Sequence, residues 1–489
     1  MTIAAGPPVT AAVTAPAPPR IAKALIVHTP TLWINVGIFI SHSPGLVQRP
    51  SRTAPCAPVL NLPDHAVLTL DNGLTLLALP RKQATTATLM ADVRVGSRDE
   101  SEREAGLSHV LEHMVFQGCP GFADASAVNE AAERLGTVID AATSRESTHF
   151  EQNVAPESLG PAISLLSRLL IAPAFADLES ERRIILEEAK DEVDERGRVI
   201  DPDTLSRALL WPQHPLGRPI IGDVRNIHRF DVETLRRYHA QHYVGDNTVV
   251  AVTGPYETEQ LLDLLRLGFG ELPRGERPAR EGPLPGRIGP TFKHVDDARS
   301  QVDCRLLFRT VGRHSPQAFA LQMLRIALDD GLASRMHRRL GTELGLCYEQ
   351  WATWESYADT GAFELAAVVS TENVPAFFKE AFALLHGLAE RPPNSEELAR
   401  LRFRARFTYA QILERPEPVL GMVASALLDL QSPTSPLERA ERLFEVTTEE
   451  IAQAASQMLE EKSCVAVAVG PLSRTRVRRV KDIVEAAGR

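Results

Sequence analysis

The sequence is poor in cysteine and lacks the glycine-rich motifs that bind nucleotides. Its 489 residues include five cysteines, which are far apart and form no CxxC pair. This spacing argues against a disulfide framework and against a thiolate zinc site, and it predicts a reducing, cytoplasmic compartment. Neither GxxxxGKS/T nor GxGxxG occurs, so no nucleotide cofactor is implied.

Acidic residues are missing from the start of the chain. Residues 1–63 contain no Asp or Glu and hold eleven of the 35 prolines, which predicts a disordered extension. An organelle transit peptide and a misassigned start codon are the alternatives. The apolar run 24–40 is interrupted by His28, Pro30 and Asn35, which argues against a membrane span. The net charge of -10 gives no reason to expect nucleic acid or an anionic membrane as a partner.

The rest of the chain has the composition and length of a two-domain globular protein. The full sequence is 44% hydrophobic and 24% charged, and its length exceeds that of one ordinary core. Patterns of short strands and amphipathic helices follow one order in the first part and repeat after a Pro/Gly/Arg-rich linker. We therefore predict an α+β fold with two similar halves, each a mostly antiparallel sheet backed by helices. The predicted boundaries are a first domain at 64–270, the linker at 271–290, a second domain at 291–475 and a C-terminal tail at 476–489.

The stretch GLSHVLEHMVFQG, residues 106–118, is the strongest candidate for chemistry. On a helix, with about 100° per residue, its apolar residues form one stripe, and His109, Glu112 and His113 lie together on the opposite side. Histidines at i and i+4 can share one tetrahedral zinc ion, and a glutamate between them faces the same space. The alternative is the solvated face of an ordinary amphipathic helix. The corresponding helix of the second half, AFALQMLRIAL, has no such residues, so one half alone can hold this site.

A third ligand is needed, and Glu188 in LESERRIILEEAKDEVDE is the candidate. It shares the helix face of Ile184 and Ile185, whereas Glu187 points about 100° away. A carboxylate on an apolar face is costly to bury unless it is paired or binds a metal. Glu192 is a rival on the same face, and a solvated run of charge is the other interpretation.

Several segments together resemble one family. GLSHVLEHMVFQG, DAATSRESTHF, ERRIILEE, HPLGRPIIG and ELGLCY occur in the order found in the pitrilysin/insulinase metallopeptidases. The two-half layout and the length resemble the short branch typified by mitochondrial processing peptidase. The resemblance extends from about Asp64 to Leu472.

This resemblance implies a zinc metalloendopeptidase that cleaves extended or unstructured peptides or small proteins. One Zn²⁺ per chain would be held by His109, His113 and Glu188, since the family's distal ligand follows the motif by about 75 residues, as Glu188 does here. Glu181 would support the ligands from the same helix. Zinc would activate a water molecule, and Glu112 would take its proton and pass it to the leaving amine.

The resemblance also implies a substrate strand, to which an extended peptide adds by backbone pairing. That strand would consist of Asp140, Ala141, Ala142 and Thr143. The family usually has Asn where this chain has Asp140. The charge either alters substrate preference or is a turn carboxylate with satisfied hydrogen bonds.

The second half departs from the family pattern. Members contribute an Arg and a Tyr seven residues apart, and Tyr348 matches the latter, but Gly341 stands at the Arg position. Arg338 and Arg339 are out of register on a helix, and Tyr348 has the alternative of packing as a strand aromatic. Two hypotheses follow. In the first, the chain is an active endopeptidase, which forms either a homodimer or a heterodimer with a homologous subunit that supplies the missing Arg/Tyr pair. In the second, it is a non-catalytic structural or binding subunit.

Overall fold

The computed structural model describes residues 64–283, 288–430, 436–460 and 463–487. The predicted disordered extension at 1–63, with its apolar run, lies outside the described residues. Within the described ranges, no helix combines the length and the apolar character needed to cross a membrane.

The first half begins with a β-hairpin and alternates strands with helices. Between the strand that ends at Val93 and the helix that begins at Leu107, the chain forms a short 3₁₀ turn at Ser97–Asp99. The elements are β1 (Ala66–Thr69), β2 (Thr75–Pro80), β3 (Ala87–Val93), α1 (Leu107–Val115), α2 (Ala125–Arg134), β4 (Asp140–Thr143), β5 (Thr148–Val154), α3 (Leu159–Ile171), α4 (Leu178–Glu188), α5 (Pro202–Leu210), α6 (Val224–Ile227), α7 (Val232–His242), β6 (Thr248–Gly254) and α8 (Thr258–Phe269).

The second half repeats this plan. Its elements are β7 (Thr291–Val295), β8 (Val302–Val311), α9 (Ala318–Leu328), a π-helical segment (His337–Glu343), β9 (Cys347–Ser356), β10 (Thr360–Val369), α10 (Val374–Glu390), α11 (Ser395–Glu414), α12 (Pro416–Leu430), α13 (Pro436–Glu445), α14 (Thr448–Glu460), β11 (Cys464–Val469) and α15 (Arg474–Ala487). The stretch predicted as a C-terminal tail, 476–489, instead lies largely within α15, whose Val480 and Val484 are buried in the core of this half.

Each half holds one mostly antiparallel sheet, which confirms the predicted fold class. In the described residues the first sheet has the strand order β1-β2-β6-β3-β5-β4 and the second has the order β7-β11-β8-β10-β9. One neighbouring pair in each is parallel, β2 with β6 and β11 with β7. Strand β7 was not predicted, because its sequence TFKHV follows directly on the Pro/Gly-rich linker. Strand β4 is the edge of the first sheet and lies beside α1.

The two halves exchange helices across their interface. Helix α12 of the second half packs on β3 and β6 of the first sheet, where Leu420 and Val423 share a buried cluster with Met90 and Val249. Helix α5 of the first half packs on β8 and β11 of the second sheet, where Leu205 meets a pair of buried strand valines. Each sheet therefore has one face covered by its own helices and the other covered by a helix of the opposite half.

Charged residues accompany α5 into this interface. Arg145, in the β4–β5 turn, lies 2.7 Å from Asp203 and 3.5 Å from Glu355. Arg207 of α5 lies 2.9 Å from Glu355 and 3.3 Å from Glu364. Each of these charges has a partner of opposite sign, which is the condition under which charges tolerate burial.

Candidate active site

Helix α1 is fixed by its apolar stripe and buries both of its sides. The stripe packs into the first-half core through Leu107, Val110, Leu111, Met114 and Val115. The other side is not a solvated face, because α4 and β4 contact it. His109 and Glu112 are only 8% and 9% exposed. The interpretation of this side as an ordinary wet face is therefore wrong.

The structure brings His109, His113 and Glu188 together. One ligand atom from each side chain lies within 4.8 Å of the other two. Nε2 of His109 is 3.8 Å from one Glu188 oxygen, and Nε2 of His113 is 3.8 Å from the other. These separations exceed a hydrogen bond but suit atoms that each lie about 2.0–2.2 Å from one shared zinc ion. The donor set and its spacing therefore fit zinc.

The neighbouring glutamates are directed elsewhere. Glu187 is exposed and pairs with Lys190, and Glu192 accepts a hydrogen bond from Thr204 at 3.2 Å. The prediction that Ile184 shares the buried face with Glu188 is wrong, since Ile184 is 53% exposed. The buried stripe of α4 continues instead through Leu178, Arg182, Ile185 and Ala189.

Glu181 lies behind His113. Its Oε2 is 3.1 Å from His113 Nδ1, which leaves Nε2 of the ring directed at Glu188. Gln117 donates to the other Glu181 oxygen at 2.6 Å and so holds the carboxylate in place. Such supporting contacts set the orientation and basicity of a metal ligand. Gln117 was not predicted, although its spacing of four residues after His113 was an available signal.

Glu112 contacts the edge strand. The Thr143 hydroxyl of β4 donates to Glu112 Oε2 at 2.6 Å. Burial raises the pKa of Glu112, with the Thr143 hydrogen bond opposing it. A buried carboxyl group with a raised pKa is suited to accept and return a proton near neutral pH.

The electrostatics of the cluster favour a cation. Burial, and secondarily the charge of His113, lowers the pKa of His109 to about 3, so the ring is neutral, as metal binding requires. Burial raises the pKa of Glu188, and Glu112 and Asp191 add to this, while His113 opposes it. A cation would stabilise the ionised carboxylate. Within the described chain, Nδ1 of His109 is buried without a hydrogen-bond partner.

The remaining predicted residues divide into two groups. Residues 140–143 form β4, which pairs with β5 on one side and has no strand partner on the other among the described residues. Along it Asp140 and Ala142 are exposed, whereas Ala141 packs against the core. Tyr348, at the start of β9, is 94% exposed, so the structure does not bring its side chain into the buried cluster.

Gly341 lies in the π-helical segment, with room for a side chain. A Cβ added there would lie 3.5 Å from His337 Nδ1 and 3.7 Å from Gln350, which are ordinary contacts. Arg338 and Arg339 do not replace the expected arginine, since both pair with Glu343, at 3.3 and 3.1 Å.

The fold has two similar halves, and the candidate metal-binding cluster lies on α1 and α4 of the first half. Residues 76–224 match the family model described as insulinase (peptidase family M16), and residues 229–404 match that of the peptidase M16 inactive domain. The chain belongs to peptidase family M16.

Similar proteins are found in bacteria and in a eukaryote. An uncharacterized zinc protease of Mycobacterium tuberculosis is 28% identical over 426 residues, covering 86% of this chain and 96% of the relative. The mitochondrial-processing peptidase subunit beta of Dictyostelium discoideum is 25% identical over 426 residues, covering 84% and 90%. A Helicobacter pylori protease has the same fold, with a TM-score of 0.76 at 22% identity, covering 84% of this chain and 100% of that chain.

Proposed function

We propose that this protein is a zinc-dependent metalloendopeptidase that hydrolyses extended or unstructured peptides. The observation that carries the proposal is the convergence of His109, His113 and Glu188 within 4.8 Å, beside the buried carboxyl group of Glu112. Three protein ligands would hold one zinc ion per chain and leave a position open, as in catalytic rather than structural zinc sites.

The residues of the chain divide the chemistry between them. When bound, zinc supplies Lewis acidity, which polarises the scissile carbonyl group and lowers the pKa of water. Glu112 takes a proton from the attacking water and delivers it to the leaving amine. The Thr143 hydroxyl holds Glu112 in place, and Glu181 with Gln117 keeps the His113 ring turned toward Glu188.

Strand β4 binds the peptide. An edge strand presents unpaired backbone groups, and an extended peptide pairs with them whatever its side chains are. Because Thr143 bonds to Glu112, a peptide paired with β4 passes close to the proton acceptor. Asp140 is exposed on this strand and adjusts preference along the peptide.

The chain works as a dimer, either with itself or with a homologous subunit. Supporting this, Gly341 leaves the second half without the arginine that the family resemblance implies, and Tyr348 is exposed and free to reach a substrate or a partner. One relative is named as the beta subunit of a processing peptidase. The same two residues favour a second candidate function, a non-catalytic binding subunit.

The test compares metal content and turnover. Zinc bound per chain is measured first, and cleavage of an unstructured peptide is then followed for the wild type and for Glu112→Gln. We expect one zinc per chain in both and a loss of about 10²–10⁴-fold in kcat for the variant. Glu187→Gln is the matched control, since Glu187 is exposed beside the site. A chain without zinc, or a wild type that cleaves no faster than Glu112→Gln, would refute the metalloendopeptidase; a wild type that neither binds zinc nor cleaves the peptide would support the non-catalytic subunit.

A further inference from the structure

A second glutamate, with no part in the proposed chemistry, is buried at the start of the zinc-binding helix. Glu100 is 2% exposed and precedes α1 by a short turn. Its Oε2 accepts from the Gly106 amide at 2.8 Å, and its Oε1 accepts from the Ser108 amide at 2.7 Å. These donors are the free amides of the first turn, where a negative charge also meets the positive end of the helix dipole.

Burying the Glu100 carboxyl group costs free energy, and the two amide hydrogen bonds offset part of that cost. Burial raises the pKa of Glu100 to about 7, although the Ser108 and Gly106 amides favour the ionised form. A carboxylate is almost never fully buried without such partners. The Ser108 hydroxyl is further bonded to Tyr238 at 2.8 Å, so the residue before His109 is held from two directions.

The turn into the helix has little freedom to compensate. Gly106 has φ of +100° and lies against Gly222, where an added Cβ would come within 2.2 Å of the Gly106 Cα. The first turn of α1 is therefore clamped between the Glu100 carboxylate and the backbone near Gly222.

Glu100 is itself anchored by its neighbours in sequence. Arg98 pairs with Glu146 at 2.7 Å and with Asp359 of the second half at 2.6 Å. Asp99 receives two hydrogen bonds from Arg280 of the linker, at 2.8 and 2.7 Å. The segment that presents Glu100 is thus fixed by the second half and the linker, so that the carboxylate cannot follow the helix if the helix shifts.

We propose that Glu100 is a positioning residue, which fixes the first turn of α1 so that His109 stays at the distance from Glu188 that a shared metal ion requires. The inference rests on the proposed zinc function, and Glu100 touches neither the metal ligands nor the substrate. His109 follows Ser108 directly, so a shift of the Ser108 amide moves the ligand with it.

The experiment uses the full chain with Glu100→Gln, and Glu102→Gln as the matched control on an exposed neighbour. Glutamine places an NH₂ group against one of the two amide donors, so one hydrogen bond is lost and replaced by repulsion. We expect faster hydrogen exchange across residues 106–113 in the metal-free chain, and zinc affinity about 10–100-fold weaker by chelator competition. At saturating zinc, kcat should fall while KM stays within about twofold, as expected for a displaced ligand rather than a damaged peptide site.

Wild-type zinc affinity in Glu100→Gln would overturn the proposal. If that variant does not fold, Glu100→Asp takes its place, because it keeps the charge but reaches only one of the two amides. A loss of zinc affinity smaller than the one expected for Glu100→Gln supports the proposal, and wild-type zinc affinity overturns it. Failure of the proposed zinc function can be distinguished from failure of the Glu100 proposal. A wild-type chain that binds no zinc would refute the metallopeptidase, whereas hydrogen exchange in the metal-free chain still reports whether Glu100 fixes the helix.

Discussion

The two halves share a plan but differ at the same place, the helix that follows β3 in the first half and β8 in the second. In the first half, α1 presents His109 and His113 to glutamates of α4. In the second half, α9 is in contact with α11, and that contact is lined by apolar residues such as Leu324, Leu401 and Ala405. The same architecture therefore carries either a polar seam of histidines and glutamates or an ordinary apolar core, and the difference depends on a few side chains.

The contact between this helix and the edge strand shows the same contrast. In the first half, Glu112 of α1 is joined to β4 by the Thr143 hydroxyl. In the second half, Asp329, just after α9, accepts from the Ala352 backbone amide of β9 at 2.9 Å. In both halves a carboxylate is therefore joined to the edge strand, through a side-chain hydroxyl in the first half and through a backbone amide in the second.

The largest effect should come from making the first half resemble the second. We expect Glu188→Gln to weaken zinc binding by more than about 100-fold, because a direct ligand matters more than a supporting residue, whose loss costs about 10–100-fold. Zinc affinity by chelator competition and peptide cleavage measure this. Glu187→Gln is the control and should retain both properties, since Glu187 is exposed and bonded to Lys190. Equal affinities in the two variants would mean that Glu188 is not a ligand.

The helix exchange predicts that stability depends on packing across the halves. Leu420→Ala, in α12 on the first sheet, removes a fully buried side chain, and we expect a loss of about 2–5 kcal/mol in the free energy of unfolding. Leu267→Ala, on a residue 84% exposed, should change it by less than about 0.5 kcal/mol. Urea denaturation measures both. Similar midpoints for the two variants would contradict the interlocked arrangement.

Placing an arginine at position 341 of the second half should increase the rate of peptide cleavage. Gly341→Arg has room for its Cβ, and a charge-assisted hydrogen bond to the substrate is worth roughly 1.5–3 kcal/mol, so we expect kcat/KM to rise by about 10–100-fold. The measurement is peptide cleavage by the isolated chain. Thr342→Arg, one residue on, is the positional control. No gain in Gly341→Arg would indicate that another residue already serves this role.

We also expect a pH dependence of stability that arises in the first sheet. Burial opposes protonation of His149, but Asp92 and Glu151 outweigh it and raise its pKa to about 10. The stabilisation from the charged ring is therefore complete below the unfolded value of about 6.5 and is lost as pH rises toward 10. We expect His149→Gln to reduce the fall in Tm between pH 7 and 10. His294→Gln in the second half, where the ring bonds to a backbone carbonyl, is the control and should leave that fall unchanged.

The fold was largely predictable because its signals are local. Strand and helix periodicities, the hairpins and the repeat of their order all lie within short windows, and the family confirmed by comparison has the predicted layout. The misses were long-range. Strand β7 pairs in parallel with β11, more than 150 residues away. Helix α12 covers the first sheet and α5 covers the second, but the sequence of each helix shows only that it has an apolar face.

The sequence by itself determined which side chains are candidates for the proposed chemistry. The spacing of His109, Glu112 and His113 is a property of one helix, and 3.6 residues per turn places them together wherever that helix lies. The tertiary structure alone decided that Thr143 bonds to Glu112, that Gln117 supports Glu181, and that Glu100 caps the helix. Periodicity shows which face of an element is apolar, but it does not specify which surface will cover that face, since that depends on the packing of the whole chain.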